Sequence, residues 1–80
     1  MAIGEACKKR IQGLCKERCI TLNKLAIISG ITQSTLNNIV SGRNNSLTVS
    51  TLKKICDGLE ISVIEFFDAD EFKDLEQEIK

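Results

Sequence analysis

The sequence predicts a small all-α domain of about five helices. Apolar residues recur every three or four positions along nearly the whole chain, which is the spacing of one buried helix face. No segment alternates convincingly between polar and apolar residues, so the chain offers no good candidate for a strand. Its 80 residues are enough for one domain with a single modest core. We therefore expect one bundle of helices.

The first helix is predicted from a stripe of apolar residues near the start of the chain. Its members are Ile3, Cys7, Ile11, Leu14 and Cys15. The second helix is short, because Thr21 is a suitable N-cap and Gly30 can adopt the left-handed conformation that ends a helix. Ala26 lies four residues before this glycine, where a small side chain lets the next helix cross closely.

Three more helices follow, and each begins at a hydroxyl residue that can cap it. These caps are Thr32, Thr48 and Ser62. Glu65 completes a capping box with the last of them, and residues 43–47 are expected to form a loop. The residues expected to face the core are Leu36, Ile39, Val40, Val49, Leu52, Ile55, Cys56 and Leu59. The fifth, short helix carries Val63, Ile64, Phe66 and Phe67.

The last segment, residues 69–80, is predicted to be an acidic helix or tail that follows a domain spanning residues 1–68. Phe72, Leu75 and Ile79 would share one face of a last helix, with acidic residues around it. That face could pack on its own domain, join a dimer interface or fray in solution.

The charges of the chain are divided between its two parts. Residues 1–54 contain nine basic and two acidic residues, whereas residues 55–80 contain nine acidic and two basic ones. No acidic residue occurs between Glu17 and Asp57. Because a basic surface attracts phosphate and an acidic one repels it, the first part of the chain is the candidate partner of nucleic acid.

The composition argues against an enzyme and against a metal site. The chain has no histidine, which excludes imidazole-ligated zinc and histidine-activated nucleophiles. Cys15 and Cys19 are four residues apart and could in principle share a metal, but the chain has no Cys-x-x-Cys knuckle. We expect Cys7, Cys15 and Cys56 to be reduced core residues and Cys19 to be exposed.

Neither a cofactor nor a small-molecule ligand is expected. No apolar run approaches the roughly 18 residues of a membrane span, so we expect a cytoplasmic protein that does not enter the membrane.

The functional signal lies in residues 21–42. Two short helices joined by a tight turn at Gly30 have the spacing of a helix-turn-helix, whose second helix enters the major groove of DNA. The outer face of that helix carries neutral hydrogen-bonding side chains where Glu and Lys are more usual. They are Gln33, Ser34, Asn37, Asn38 and Ser41. Such groups can read base edges; the alternative is an αα-hairpin with a merely polar surface.

At this point the sequence resembles a known family. The segment ITLNKLAIISGITQSTLNNIVSG, with the later STLKKICDGLEISVIEFF, is similar to the Cro/repressor-type helix-turn-helix regulators, also called the xenobiotic-response-element-like family. The resemblance covers residues 3–68 and is nearest to short single-domain regulators of Gram-positive bacteria and their mobile elements. It implies a five-helix, repressor-like domain, usually dimeric, that binds palindromic double-stranded DNA operators and regulates transcription.

The resemblance also implies which residues contact DNA. The expected base-reading residues are Gln33, Ser34 and Asn37. The expected contacts to the DNA backbone are Thr32, Asn38 and Arg43, with Asn44 or Asn45 beside them. Asn23 lies in the first turn of the second helix, where helix N-termini approach phosphate.

The chain departs from the family pattern at several positions. Leu22 stands where the family often has a glutamine that touches phosphate, so that contact is not expected here. Cys15 and Val40 replace a common Arg–Glu pair, and two apolar residues there are consistent with a packed contact. Cys19 replaces a helix-ending glycine, and Leu47 replaces a proline.

We therefore expect a bacterial homodimer that binds double-stranded DNA and regulates transcription. We further expect Phe66, Phe67 and the tail to help form the dimer, because these apolar residues lie at the end of the chain distant from the DNA-reading stripe. The alternative is an antitoxin-like or other protein-interaction module whose DNA binding is secondary. The acidic C-terminal end, with its phenylalanines, favours that alternative.

Overall fold

A computed structural model describes residues 2–41 and 47–77 of the chain, and these ranges contain six helical segments. They are α1 (Ile3–Arg18), α2 (Leu22–Ser29), α3 (Gln33–Ser41), α4 (Val49–Leu59), α5 (Val63–Phe67) and a C-terminal 3-10 helix (Asp70–Phe72). Neither range contains a strand. The predicted all-α fold with five α-helices is confirmed. No helix in the described parts of the chain is long and apolar enough to cross a membrane.

Three connections between helices share one local design, which we call the helix joint. Each joint is a residue in the left-handed conformation, then an isoleucine, then a Thr or Ser that caps the next helix. The joints are Cys19-Ile20-Thr21, Gly30-Ile31-Thr32 and Glu60-Ile61-Ser62. In each joint the isoleucine N–H donates to the carbonyl oxygen five residues earlier, at 3.0, 3.1 and 3.0 Å respectively. This bond closes the preceding helix as in a Schellman motif.

The last residue of each helix joint starts the following helix. Its side-chain oxygen accepts the backbone N–H three residues later, and Thr48 does the same for α4. The residue before each cap and the residue four after the cap are both apolar, and each is either buried in the core or partly buried against it. These are the two positions of a hydrophobic staple. These pairs are Ile20 and Leu25, Ile31 and Leu36, Leu47 and Leu52, and Ile61 and Phe66. The four predicted N-caps are confirmed.

One apolar core lies between the helices. Its largest fully buried side chains are Phe66, Ile11, Leu25, Leu36, Ile55, Leu59 and Cys56. The most extensive contact is between α2 and α4, and α3 packs against α1 and α2. Gly58 permits the close approach of α4 to α2. A Cβ atom at this position would lie 2.6 Å from the Ser29 Oγ and 3.0 Å from the carbonyl oxygen of Ile28.

Two expectations about apolar residues are wrong. Val49, expected to face the core, is 81% exposed, because it is the first residue of α4 and the buried part of that helix begins only at Leu52. Phe66, expected to contribute to a dimer surface, is fully buried inside its own chain and is therefore not available to a partner.

The C-terminal segment begins by packing on its own domain. The ring centroid of Phe72 lies 5.8 Å from that of Phe66 and 4.8 Å from that of Phe67, and Phe72 is partly buried against the core. After the 3-10 helix the described chain, to residue 77, contains no helix. Ile79, which was expected to share a helix face with Phe72, lies outside the described residues.

Candidate nucleic-acid interface

The two faces of α3 differ in burial: one packs against neighbouring helices, and the other is polar and exposed to solvent. Leu36 and Ile39 are buried on the side that meets α1 and α2. The opposite side is exposed and carries the neutral polar residues that the spacing predicted. They are Gln33, Ser34, Asn37, Asn38 and Ser41. Because the buried residues fix the rotation of the helix about its axis, this polar stripe has a defined orientation toward solvent.

Hydroxyl groups at both ends of α3 form hydrogen bonds within the helix. The Thr32 Oγ1 accepts the N–H of Thr35 at 3.1 Å and donates to the Thr35 Oγ1 at 2.9 Å. The Ser41 Oγ donates to the carbonyl oxygen of Asn38 at 3.2 Å. These bonds stabilise the two ends of the helix that carries the polar stripe, so its side chains project from an ordered backbone.

The first turn of α2 presents a second group of exposed polar residues. Asn23 and Lys24 are both exposed there, and the Thr21 Oγ1 caps the turn by accepting the N–H of Lys24 at 3.0 Å. A helix N-terminus carries partial positive charge, so an anion is favoured at this end. Leu22 is partly buried against the core, and its side chain cannot hydrogen-bond to phosphate.

Acidic side chains are absent from both α2 and α3. The ion pairs found in the described parts of the chain lie elsewhere, within α1, within α4 and beside the 3-10 helix. They join Lys9 to Glu5 at 3.9 Å, Lys53 to Asp57, and Lys73 to Asp70 at 2.9 Å. The polar stripe therefore lies on a helix that, like the neighbouring α2, has no negative side chain to repel phosphate.

The structure does not describe three of the residues that were expected to contact the DNA backbone or to lie beside such a contact. Arg43, Asn44 and Asn45 lie outside the described residues. The other expected residues are all exposed, on α3, at its N-cap and in the first turn of α2. They are Asn23, Thr32, Gln33, Ser34, Asn37 and Asn38.

The cysteines have the burial that the sequence predicted. Cys7, Cys15 and Cys56 are buried and Cys19 is exposed. Burial raises the pKa of the three buried thiols, and the carboxylate of Asp57 raises the pKa of Cys56 further. Cys15 lies in the same apolar core against which Val40 packs, which fits the apolar replacement of the family's Arg–Glu pair.

An apolar groove of about 170 Å³ opens between the first turns of α1 and α4. It is lined by Ile3, Gly4, Cys7, Leu47, Thr48, Val49, Leu52 and Phe67. Sequence reasoning missed this feature, because its lining comes from segments far apart along the chain. Each segment alone has only the helical periodicity of a core-facing stripe, and that pattern predicts buried residues and not an open groove.

Comparison with known proteins points to one family. A family model described as a Cro/C1-type HTH DNA-binding domain matches residues 10–71. The HTH-type transcriptional regulator SlrR of Bacillus subtilis is 36% identical over 55 residues, which make up 69% of this chain and 36% of SlrR. The chain therefore spans about a third of the length of this relative.

Two solved structures share the fold. The crystal structure of the prophage Lp1 protein 11 matches with a TM-score of 0.82 and 33% identity, over 94% of this chain and 100% of that one. An HTH_3 family transcriptional regulator from Vibrio cholerae matches with a TM-score of 0.76 and 32% identity, over 85% of this chain and 38% of that one. The likeness thus extends over most of the helical domain described above.

Proposed function

Because the chain belongs to the Cro/C1-type helix-turn-helix DNA-binding family, we propose that it regulates transcription by reading a specific double-stranded DNA sequence as a homodimer. The observation that carries this proposal is the exposed, uncharged stripe on α3, whose orientation is fixed by the burial of Leu36 and Ile39. In such a dimer two copies of α3 would enter successive major grooves of an inverted repeat, about 34 Å apart.

The proposed base-reading residues are Gln33, Ser34 and Asn37. The amide groups of Gln and Asn donate and accept at the same time, which matches the edge that adenine presents in the major groove, and a Ser hydroxyl can do either. Since α3 has no charged side chain, most of the affinity must come from contacts to phosphate and not from contacts to base edges. The proposed backbone contacts are Asn23, Thr32, Asn38, Arg43 and Asn44.

The first test is selection of bound duplexes from a random pool at about 0.15 M ionic strength, where nonspecific attraction to phosphate is reduced. We expect an enriched inverted repeat. Binding at low salt without any enriched sequence would contradict the proposal, and it would favour the protein-interaction module as the function.

Substitutions then separate base reading from attraction to phosphate. Asn37→Ala should lose about 1–3 kcal/mol on the selected operator and change the preference at one base position. Arg43→Ala should weaken binding to all sequences alike and reduce the dependence on salt. Gln12→Ala is the matched control, because it also truncates an exposed polar side chain, on α1. Uniform weakening by Asn37→Ala across single-base operator variants would count against a base-reading role.

A further inference from the structure

The exposed side chains of α3 and its N-cap differ in how much of their hydrogen-bonding capacity is already used. The Ser41 hydroxyl donates to a carbonyl oxygen of its own helix at 3.2 Å, and the Thr32 hydroxyl donates to a neighbouring hydroxyl at 2.9 Å. The carboxamides of Gln33 and Asn37 are exposed and form no hydrogen bond within the described parts of the chain. The amino group and the oxygen of each carboxamide are therefore both free to bind a ligand.

The two free carboxamides are four residues apart, so they are neighbours on one face of α3. Cβ atoms at this spacing are about 6 Å apart, and the nucleotides of one DNA strand follow one another about every 3.4 Å. Gln33 and Asn37 can therefore reach two base pairs that are adjacent or one step further apart.

The chemistry of this face favours adenine over guanine. In the major groove guanine presents two acceptors, O6 and N7, which are matched by the paired donors of Arg or Lys. Neither residue type occurs in α3. Adenine presents the N6–H donor beside the N7 acceptor, and a carboxamide binds both at once. The two carboxamides are therefore suited to two A·T base pairs in each half of the inverted repeat, which we call the half-site.

We propose that α3 reads adenine only in its unmethylated form, so that methylation of adenine N6 in a half-site prevents binding. One of the two N6 hydrogens pairs with thymine, and the other lies in the major groove. A methyl group must replace the second hydrogen, because the first is needed for base pairing. The carboxamide oxygen then loses its donor and meets a methyl group instead. The inference rests on the proposed reading of DNA, and it names the base chemistry of that site and a modification that controls it.

The surroundings of the two carboxamides do not accommodate the methyl group. The exposed residues of α3 are all polar, so no exposed aliphatic or aromatic side chain of this helix can pack against it. The helix cannot rotate away either, because Leu36 and Ile39, which are 1% and 7% exposed, pack on the side that meets α1 and α2. The carboxamide oxygen would stay in the interface without a partner, which costs more than the loss of the bond alone.

Duplexes that carry a single modified adenine test the inference on the full chain. The probe is the inverted repeat enriched in the selection, with one half-site adenine at a time replaced by N6-methyladenine. At the adenines that α3 reads, methylation should raise the dissociation constant about tenfold or more. The matched control is 2,6-diaminopurine, which adds an amino group in the minor groove and leaves the major-groove edge of adenine unchanged, so affinity should change less than about twofold. N6-methyladenine outside the half-sites measures any general effect of the modification on the duplex.

Substitutions then assign the sensitivity to individual side chains. Asn37→Ala should bind the methylated and unmethylated operators equally at one adenine and remain sensitive at the other, and Gln33→Ala should show the reverse. Gln12→Ala, on the exposed surface of α1, should respond to each modification like the wild type. All three side chains are exposed, and circular dichroism verifies that each variant folds.

An operator that binds equally well with every half-site adenine methylated would overturn the inference, and so would half-sites whose essential positions are all G·C pairs. Asn37→Ala and Gln33→Ala variants that both keep the full sensitivity of the wild type would also contradict it. These outcomes leave the proposed function intact, because an enriched inverted repeat is still bound. Failure of the proposed function is distinct, since no sequence would then be enriched in the selection.

Discussion

The guanidinium of Arg10, on α1, donates a hydrogen bond of 2.8 Å from its Nε to the carbonyl oxygen of Phe66 in the last turn of α5. Its Nη2 donates a second bond, of 3.0 Å, to the carbonyl oxygen of Glu65. Carbonyl groups in the last turn of a helix have no partner within that helix. With five residues, α5 is too short to be stable alone, so the bonds from Arg10 and the burial of Phe66 in the core hold it in place.

Arg10→Met should therefore lower the free energy of unfolding by about 1–2 kcal/mol, because two charge-assisted hydrogen bonds in a partly exposed setting are removed. Urea denaturation measures the change. Lys9→Met is the matched control, since Lys9 faces Glu5 at 3.9 Å with both side chains about half exposed, and such a pair contributes roughly 0–0.5 kcal/mol. Equal losses in the two variants would show that the bonds to α5 do not stabilise the fold.

Cys19→Gly and Glu60→Gly should each stabilise the protein by about 0.5–1 kcal/mol. Both residues adopt the left-handed conformation, with φ of 57° and 58°, which costs an L-residue about 1–2 kcal/mol. Glycine removes this cost, but part of the gain in stability is offset because glycine has more conformational freedom in the unfolded chain. Gly30→Ala, at φ 68°, should destabilise the protein instead. Thermal unfolding of the three variants tests this, and a lower Tm for Glu60→Gly would contradict it.

Two other glycines should respond in opposite ways to alanine. Gly13 lies in the middle of α1, and a Cβ there would have its nearest neighbour, a carboxylate oxygen of Glu71, at 4.0 Å. Gly13→Ala should therefore stabilise the helix by about 0.5–1 kcal/mol. Gly58→Ala should destabilise the protein by about 1–3 kcal/mol, because the methyl group would overlap Ser29 and the backbone of Ile28. Denaturant midpoints measure both.

A substitution at Ser29 distinguishes the two overlaps that an alanine at position 58 would make, one with the Ser29 side chain and one with the backbone of Ile28. The Ser29 Oγ is buried and makes no hydrogen bond within the described parts of the chain, so Ser29→Ala should be neutral or slightly stabilising. In the double variant Ser29→Ala/Gly58→Ala part of the lost stability should return, and the overlap with the Ile28 carbonyl should remain. If the effects of the two substitutions on the free energy of unfolding are additive, the Ser29 hydroxyl does not overlap the alanine methyl group.

Cys19 should react with a thiol reagent in the native state far faster than the other three cysteines, because it is exposed and they are buried. Burial raises the pKa of Cys7, Cys15 and Cys56 above the ordinary value of 9.0, so their thiols stay neutral in the folded chain. The unfolded chain ionises first as the pH rises. The contribution of these neutral thiols to the free energy of unfolding is therefore fully present below about pH 9 and is lost as the pH rises above that value.

Labelling with an aromatic disulfide before and after addition of urea measures the reactivity, and urea midpoints across alkaline pH measure the stability. Cys19→Ser should abolish the fast reaction. A second thiol reacting at the native rate would show that one of the buried cysteines is accessible.

The features that the sequence predicts correctly depend on residues close together along the chain. The caps at Thr21 and Thr32 and the turn at Gly30 each involve partners no more than five residues away. The bond between Arg10 and Phe66 joins residues 56 positions apart, and no local pattern indicates it. Val49 follows the periodicity of a buried residue but lies where α4 begins, so its exposure depends on how the helices are arranged.

The same distinction applies to the candidate interface. The polar stripe on α3 could be predicted because the helical period alone decides which residues share a face. Assigning individual residues to bases or to phosphates requires the position of the DNA, so these roles stay predictions. The groove beside Phe67 depends on the junction of α1, α4 and α5, and the periodicity of the separate helices does not reveal it.

The helix joints bear on how fast the chain folds. The joint around Gly30 is closed by the bond from the Ile31 N–H to the Ala26 carbonyl oxygen and by the cap on Thr32, and neither bond needs a distant residue. Little loop-closure entropy is lost when such contacts form, and helical proteins rich in local contacts typically fold in microseconds to milliseconds. The angle between α2 and α3 can therefore be set early in folding, before the C-terminal segment has joined the core.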